Sequence, residues 1–194
     1  MKVELPKTET LDARKALPDS LRILLQELPR NEWASHDHFN GLVSFWLDRH
    51  LMFRRLLTTL QSESQLAVDK AMEVDVFASR LHRYAGIFVE QLQVHHHMED
   101  MKFFPKLSEF DSRLTSGFDI LDADHHALDE NLAQFVLKTN KVLQSDNPEN
   151  AIETTKVLVD EITRLEKLLD RHLTDEEELV VPILLKYGTH QFDL

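Results

Sequence analysis

Cysteine is absent from the 194 residues, and helix-breaking residues are scarce, with four glycines and six prolines. Without cysteine the chain can hold no disulfide, iron–sulfur cluster or thiolate-bound zinc ion. Few glycines and prolines, together with abundant Leu, Glu, Asp and Lys, favour an all-helical protein. No apolar run approaches the roughly 20 residues that span a bilayer, so the sequence predicts no membrane segment.

Basic residues are also few, because the chain has 22 Lys and Arg against 34 Asp and Glu, which gives a formal net charge of −12. A nucleic acid or an anionic membrane surface would require a basic face, so neither is expected as a partner. The N-terminal residues lack the apolar core of a signal peptide. We therefore expect a soluble, cytoplasmic protein, and the length suits one domain.

Apolar residues recur at spacings of three and four in four long stretches, which predicts four helices. The polar residues 61–72 are predicted to be a connection, and His36 and His38 are predicted to open the first helix, too far from its middle to share a site there. Pro148 stands where it can begin the last helix. The predicted helices cover about residues 35–60, 74–107, 112–144 and 149–186.

Short connections between long helices predict an antiparallel up-down-up-down four-helix bundle, which we assign to residues 31–194. Residues 1–30 are polar and are interrupted by three prolines. We predict that they form an N-terminal extension whose leucines pack on the bundle. A segment that binds a partner protein is the alternative.

The stretch from His95 to Asp100 concentrates three histidines and two acidic residues on the second predicted helix. A helix turns by 100° per residue, so His95 and Glu99 lie one turn apart on the same face. An imidazole and a carboxylate in this arrangement form half of a transition-metal site, although a histidine-rich helix surface is the alternative. Of His96 and His97, one is expected to orient a ligand through a hydrogen bond and the other to be exposed.

A histidine also lies on the apolar stripe of each other helix, at His50, His125 and His172, and Glu176 follows His172 by one turn. Each histidine alone could be a hydrogen-bonded core residue. In an antiparallel hairpin, two residues at the same depth are equidistant from the turn between them. The midpoints of successive histidines fall near residues 72–73, 110 and 148–149, in or beside the predicted connections. The sequence therefore predicts that four histidines and two glutamates meet at one level of the bundle.

Two carboxylates buried among four imidazoles need cations, because an unpaired buried carboxylate costs several kcal/mol. Imidazole and carboxylate ligands together suit iron, manganese or zinc, whereas calcium and magnesium prefer oxygen ligands. Six side chains exceed what one tetrahedral zinc ion uses, so we expect two metal ions, with iron favoured and carboxylates as bridges. A hydrogen-bonded polar layer without metal is the alternative. The predicted ligands are His50, His95, Glu99, His125, His172 and Glu176.

Four pieces of the sequence, covering about residues 40–187, resemble the hemerythrin-like (HHE cation-binding) domains. The resemblance implies a four-helix bundle around a non-haem di-iron centre, with oxo or hydroxo and carboxylate bridges, that handles oxygen or related small oxidants. It places the ligands at the same six positions. The pieces are Asp48-Arg49-His50, His95 to Asp100 with Phe103-Phe104-Pro105, Asp124 to Asp129, and His172 to Glu178 with Pro182.

Two positions depart from the pattern of the oxygen-carrying members of that family. Asp129 stands where they have a further histidine, and their last carboxylate corresponds to Glu177 rather than Glu176. The chain is thus more similar to the bacterial and regulatory members, which implies that it binds or senses O2, NO or peroxide, or senses iron. A metal-dependent oxidase or peroxidase, and a regulatory module whose partner binding depends on metal, are the alternatives. Whether Glu176 or Glu177 bridges, the role of Asp100, and oligomerisation stay open.

Overall fold

The computed structural model describes residues 10–39, 41–190 and 192, and this part of the chain is helical without a strand. The predicted all-helical class is confirmed. Three short 3-10 turns cover Asp19–Leu21, Arg30–Ser35 and Ser112–Leu114, and a π-helical turn covers Glu99–Phe103. The α-helices are α1 (Ile23–Glu27), α2 (Gly41–Val68), α3 (Val74–Met98), α4 (Phe104–Phe110), α5 (Thr115–Leu143) and α6 (Pro148–Tyr187).

The four long helices α2, α3, α5 and α6 correspond to the four predicted helices, but α2 is displaced along the chain. It continues to Val68, so most of the residues predicted as the first connection are helical. Leu60, Ser64 and Ala67, spaced by one turn, are buried there together with Glu63, whereas Ser62 and Gln65 are exposed. A polar composition therefore did not mark a loop. It marked a helix with a narrow buried stripe.

The residues before α2 also differ from the prediction. Arg30–Ser35 form a 3-10 turn, and His36 has an extended backbone with φ −77° and ψ 138°. His36 and His38 thus do not open the first helix. The indole N–H of Trp33 donates to the carbonyl of Leu28 at 2.8 Å, which closes the turn back on the preceding helix.

The second predicted helix is helical throughout most of its length, but its hydrogen-bonding pattern changes within it. After Met98 the chain makes the π-helical turn, in which the Phe104 N–H donates to the Glu99 carbonyl five residues earlier, and α4 follows. Pro105 lies in the first turn of α4, where its missing N–H costs little, and its ring excludes a regular helix through the preceding turn. Because π-helical turns occur frequently at functional sites, Glu99 is a position of interest.

Two compact units divide the chain, and each of the four long helices contributes residues to both. We call residues up to 51, 96–126 and from 170 onwards the histidine-rich unit, and residues 52–95 and 127–169 the apolar unit. The predicted boundary between residues 30 and 31 stays a prediction. None of the helices in the part of the chain that the structure describes is both long and apolar enough to cross a bilayer.

The core of the histidine-rich unit includes leucines from the N-terminal segment. Leu17, Leu21 and Leu24 are buried in the same hydrophobic cluster as Val180 and Leu184 of α6. The N-terminal segment therefore contributes leucines to this core, and burial of these three side chains stabilises its docking by about 1.5–3 kcal/mol each.

The core of the apolar unit is centred on aromatic side chains. Phe53, Phe88 and Phe135 are fully buried. The Phe53 and Phe88 rings meet edge to face with centroids 6.3 Å apart, and Phe88 and Phe135 do so at 5.8 Å. Such pairs add about 0.5–1.5 kcal/mol to the stabilisation from burial, so this unit has a well-determined apolar interior.

Candidate metal centre

Buried histidines and carboxylates are concentrated in the histidine-rich unit. Burial of a charge without a partner is strongly unfavourable, so such a concentration requires compensating charge at close range. Among the described residues of this unit, the histidines and carboxylates exposed by no more than 5% are His50, His96, Glu99, Asp124, His125, His172, Asp175, Glu176 and Glu177.

One candidate ligand group consists of His96, Glu99, His125 and His172. Each offers a ligand atom, and these atoms lie within 4.8 Å of one another. The Nε2 atoms of His125 and His172 are 3.2 Å apart, and Nε2 of His125 lies 3.5 Å from Oε2 of Glu99. The π-helical turn after α3, together with α5 and α6, thus directs an imidazole or a carboxylate to the same point.

A second group shares Glu99 with the first and includes His50 and Glu176, whose ligand atoms also lie within 4.8 Å of one another. Nε2 of His50 is 3.3 Å from Oε1 of Glu176, and Nε2 of His172 is 3.4 Å from Oε2 of the same carboxylate. The Trp46 indole N–H donates to Oε1 of Glu176 at 2.6 Å. Glu176 therefore faces a histidine of each group, from one turn beyond His172 on α6.

His95 is the last residue of the apolar unit, where its ring packs on Phe53 with centroids 5.2 Å apart. It belongs to the same group of candidate ligands as Glu99, which follows it by four residues, in the π-helical turn after α3. The structure thus brings five of the six predicted ligands together in the histidine-rich unit, and His95 accompanies Glu99.

A carboxylate meets the outer ring nitrogen, Nδ1, of three of these histidines. A carboxylate accepts a hydrogen bond, so each Nδ1 carries the proton and each Nε2 presents a lone pair towards the other ligand atoms. Histidines that bind metals show this arrangement, because the outer carboxylate sets the tautomer and the orientation of the ring. The pairs are His50 with Glu177 at 3.0 Å, His125 with Asp100 at 2.7 Å and His172 with Asp124 at 3.4 Å.

The electrostatics of the groups indicate that positive charge is required between them. Two Nε2 lone pairs that face each other at 3.2 Å, on His125 and His172, repel unless a proton or a metal ion lies there. Burial lowers the pKa of the His172 imidazole, but hydrogen bonds to Asp124 and Glu176 outweigh burial and raise this pKa to about 9. Burial also raises the pKa of the Glu99 carboxyl well above its usual range, and the charge of Glu176 adds to that shift. The imidazole and carboxylate donors therefore fit a transition metal, which would replace protons.

Glu176 and Glu177, which the sequence left as alternative metal ligands, make different contacts in the structure. Glu176 lies among the candidate ligand atoms. Glu177 lies behind His50, where Oε1 contacts Nδ1 and Oε2 accepts from the Arg30 guanidinium at 2.6 Å. Asp100 has a comparable role behind His125.

His96 is the candidate ligand whose role the sequence left open. Its ring stacks on that of His125 with centroids 4.0 Å apart, whereas His97 is exposed. The sequence signal that could have identified His96 is its position directly after His95. Neighbouring residues on a helix point in directions 100° apart, so each of the two histidines can reach a different ligand group. Asp129 is exposed and belongs to neither group.

Comparisons with known proteins agree with this geometry. The hemerythrin HHE cation binding domain matches residues 41–184, which is well over half of the chain and includes every predicted ligand. Comparisons with curated proteins and with solved structures found no match. The chain therefore belongs to the hemerythrin HHE cation-binding domain family.

Proposed function

We propose that this protein holds a pair of iron ions in the two ligand groups and that the pair binds or senses O2, NO or peroxide. The observation that carries the proposal is the membership of Glu99 in both groups. A carboxylate common to two sets of imidazoles is the arrangement expected for two ions at short separation in a helical bundle.

The donor set divides naturally between two ions. His96, His125 and His172 would hold one ion, and His50 with His95 the other. Glu99 and Glu176 would help to hold both ions, because Glu99 belongs to both groups and Glu176 contacts His50 and His172. Five imidazoles and two carboxylates suit iron, and manganese or zinc are the competing ions.

Aromatic side chains line the same region and define what can reach it. The Phe104 ring stacks on His125 with centroids 5.4 Å apart, and Trp46 packs at 6.4 Å from His50 and edge to face on Phe103 at 4.8 Å. These walls exclude bulk water and favour small ligands of low polarity. A bound iron pair would supply redox chemistry towards such ligands, while Trp46 would orient the Glu176 carboxylate through its N–H.

The first test is metal analysis of protein purified from iron-replete, anaerobic cultures, with absorption spectra before and after exposure to air. We expect about two irons per chain and new charge-transfer bands in the near ultraviolet after exposure. A single metal, or zinc with no spectral change, would contradict the proposal and leave a structural metal site in the same fold.

Neighbouring histidines provide matched controls for the ligand assignment. We expect His125→Ala to lose metal, because His125 belongs to the first group, and His126→Ala to keep it, because His126 is exposed and contacts the Asp122 carbonyl of its own helix. His96→Ala and His97→Ala form a second such pair. If the two variants of a pair bind equal amounts of metal, the histidine assigned as a ligand in that pair is not a ligand.

A further inference from the structure

Arg14, in the N-terminal segment, reaches a carboxylate behind the candidate metal site. Its guanidinium contacts both carboxylate oxygens of Asp124, with Nη1 at 3.2 Å, and its Nε donates to Asp175 at 2.8 Å. Asp124 in turn contacts Nδ1 of His172. The backbone N–H of Leu17 also donates to Asp175, at 3.2 Å, so the segment holds this carboxylate at two points.

Arg30, in the 3-10 turn of the same segment, makes an equivalent connection to the second ligand group. Its Nη1 donates to Glu177 at 2.6 Å, and Glu177 contacts Nδ1 of His50. The guanidinium also lies over the Trp33 ring, 4.6 Å from its centroid, which restricts its position. In each ligand group, one histidine thus contacts a carboxylate through its Nδ1, and this outer carboxylate pairs with an arginine from residues 10–35.

Solvent exposure explains why only two of the three outer carboxylates have such a partner. The Asp124 and Glu177 side chains are 1% and 5% exposed, whereas that of Asp100, behind His125, is 32% exposed. Water stabilises the charge of Asp100, but the two buried carboxylates need a cation close by. Each guanidinium also fixes the position of its carboxylate, and the carboxylate in turn fixes the orientation of the imidazole that it contacts.

We propose that Arg14 and Arg30 are positioning residues of the metal site and that docking of residues 10–35 is coupled to metal binding. The inference rests on the proposed metal site and goes beyond it. Because coupling between two binding events is reciprocal, the docked segment raises metal affinity and bound metal stabilises the docked segment by the same factor.

The decisive variant is Arg30→Gln, with Arg22→Gln as its matched control. Both arginines belong to the same segment and are partly exposed, but Arg22 pairs with Glu178 at 3.1 Å, a carboxylate that contacts no histidine among the described contacts. With Co2+ as probe and a competing chelator, we expect Arg30→Gln to weaken binding about tenfold to a hundredfold. Arg22→Gln should leave the affinity unchanged, and Arg30→Lys should restore part of it.

Two further readouts separate positioning from general destabilisation. Thermal unfolding should show that both metal-free variants are folded at the temperature of the binding experiment, while the visible spectrum of bound Co2+ should differ between them. For Arg14, whose loss would leave Asp124 and Asp175 buried without this cation, Arg14→Lys keeps the charge and removes the two-point contact. We expect it to weaken Co2+ binding in the same direction.

Hydrogen exchange of the full chain tests the reciprocal effect. Addition of Co2+ should slow amide exchange in residues 10–35 of the parent protein, and less so in Arg30→Gln. If the parent binds Co2+ but Arg30→Gln binds it equally well, or exchange in residues 10–35 does not respond to the metal, the coupling is overturned and the metal site stands. If the parent takes up neither iron nor Co2+, the proposed function fails and the coupling with it.

Discussion

The two units use the same four long helices for different purposes. In the apolar unit, the Phe53, Phe88 and Phe135 rings form edge-to-face contacts in a buried interior. In the histidine-rich unit the corresponding interior contains imidazoles and carboxylates, covered by a segment that begins before α2. Both units bury apolar side chains, and the histidine-rich unit places its imidazoles and carboxylates beside such a cluster, so it combines packing with the positioning of chemical groups.

Buried charge is also treated differently in the two units. In the apolar unit, Glu63 pairs with Arg80 at 2.9 Å and Glu161 pairs with Lys138 at 2.5 Å, and both cations remain partly exposed. In each pair the cation stays in contact with water, which screens the attraction and reduces its contribution to stability. In the histidine-rich unit, by contrast, the Arg14 guanidinium that pairs with Asp124 is itself buried. There each group depends on the others, so removal of one is expected to disturb a network.

The largest effect should come from the aromatic core of the apolar unit. We expect Phe88→Ala to lower the free energy of unfolding by about 3–5 kcal/mol, because it removes a fully buried ring and leaves a cavity. Phe45→Ala, at a ring that is 58% exposed in the histidine-rich unit, should change it by less than about 0.5 kcal/mol. Urea titration measures both.

The metal content of folded Phe88→Ala then tests whether the packing of the apolar unit and metal binding are independent of each other. Metal uptake equal to that of the parent supports separate roles for packing and for the site. A folded Phe88→Ala that has lost its metal would break the comparison.

Two helical glycines probe how closely each unit is packed. A Cβ at Gly117 in the histidine-rich unit would lie 2.8 Å from a methyl group of Leu179, which is buried, whereas a Cβ at Gly86 in the apolar unit meets no atom within 4 Å. We expect Gly117→Ala to destabilise by about 1–3 kcal/mol through overpacking. Gly86→Ala should stabilise by about 0.4–1 kcal/mol through the unfolded state. Shifts of the same sign in thermal unfolding would contradict this difference.

The smallest effect concerns acid stability outside the metal site. The hydrogen bonds from Arg113 hold the pKa of the Asp111 carboxyl below its usual range. A carboxyl whose pKa is lower in the folded than in the unfolded protein stabilises the fold at pH values above its unfolded pKa of about 4. This stabilisation disappears as the pH falls through the pKa of the folded protein. Asp111→Asn should therefore lose less stability than the parent between neutral pH and acid. Equal losses in urea titrations would exclude this contribution.

Much of the helical framework could be predicted from the sequence, because apolar periodicity depends on residues close together in the chain. The end of α2 at Val68 could not, since residues 61–67 are polar on their exposed face and only packing shows which face is buried. The π-helical turn at Glu99–Phe103 was also not predicted, although Pro105 indicated a disturbance near it.

For the candidate site, the histidine stripes and their spacing around the connections predicted which side chains would meet, and five of the six do so within the histidine-rich unit. The sequence could not choose between Glu176 and Glu177, nor assign His96, because neighbouring residues on a helix differ by only 100° and the direction of the partner helices decides which one points inward. Arg14 carried no signal of its own.

By itself, then, the sequence determined the helical class, the inward histidines and the chemistry that a mixed imidazole and carboxylate set can support. Only the tertiary structure decided which carboxylates face Nε2 or Nδ1 of each histidine, and that Arg14 and Arg30 stand behind two of them. The physical reason is range. Helical periodicity acts over a few residues, whereas a buried charge selects its partner by distance in space, regardless of separation along the chain.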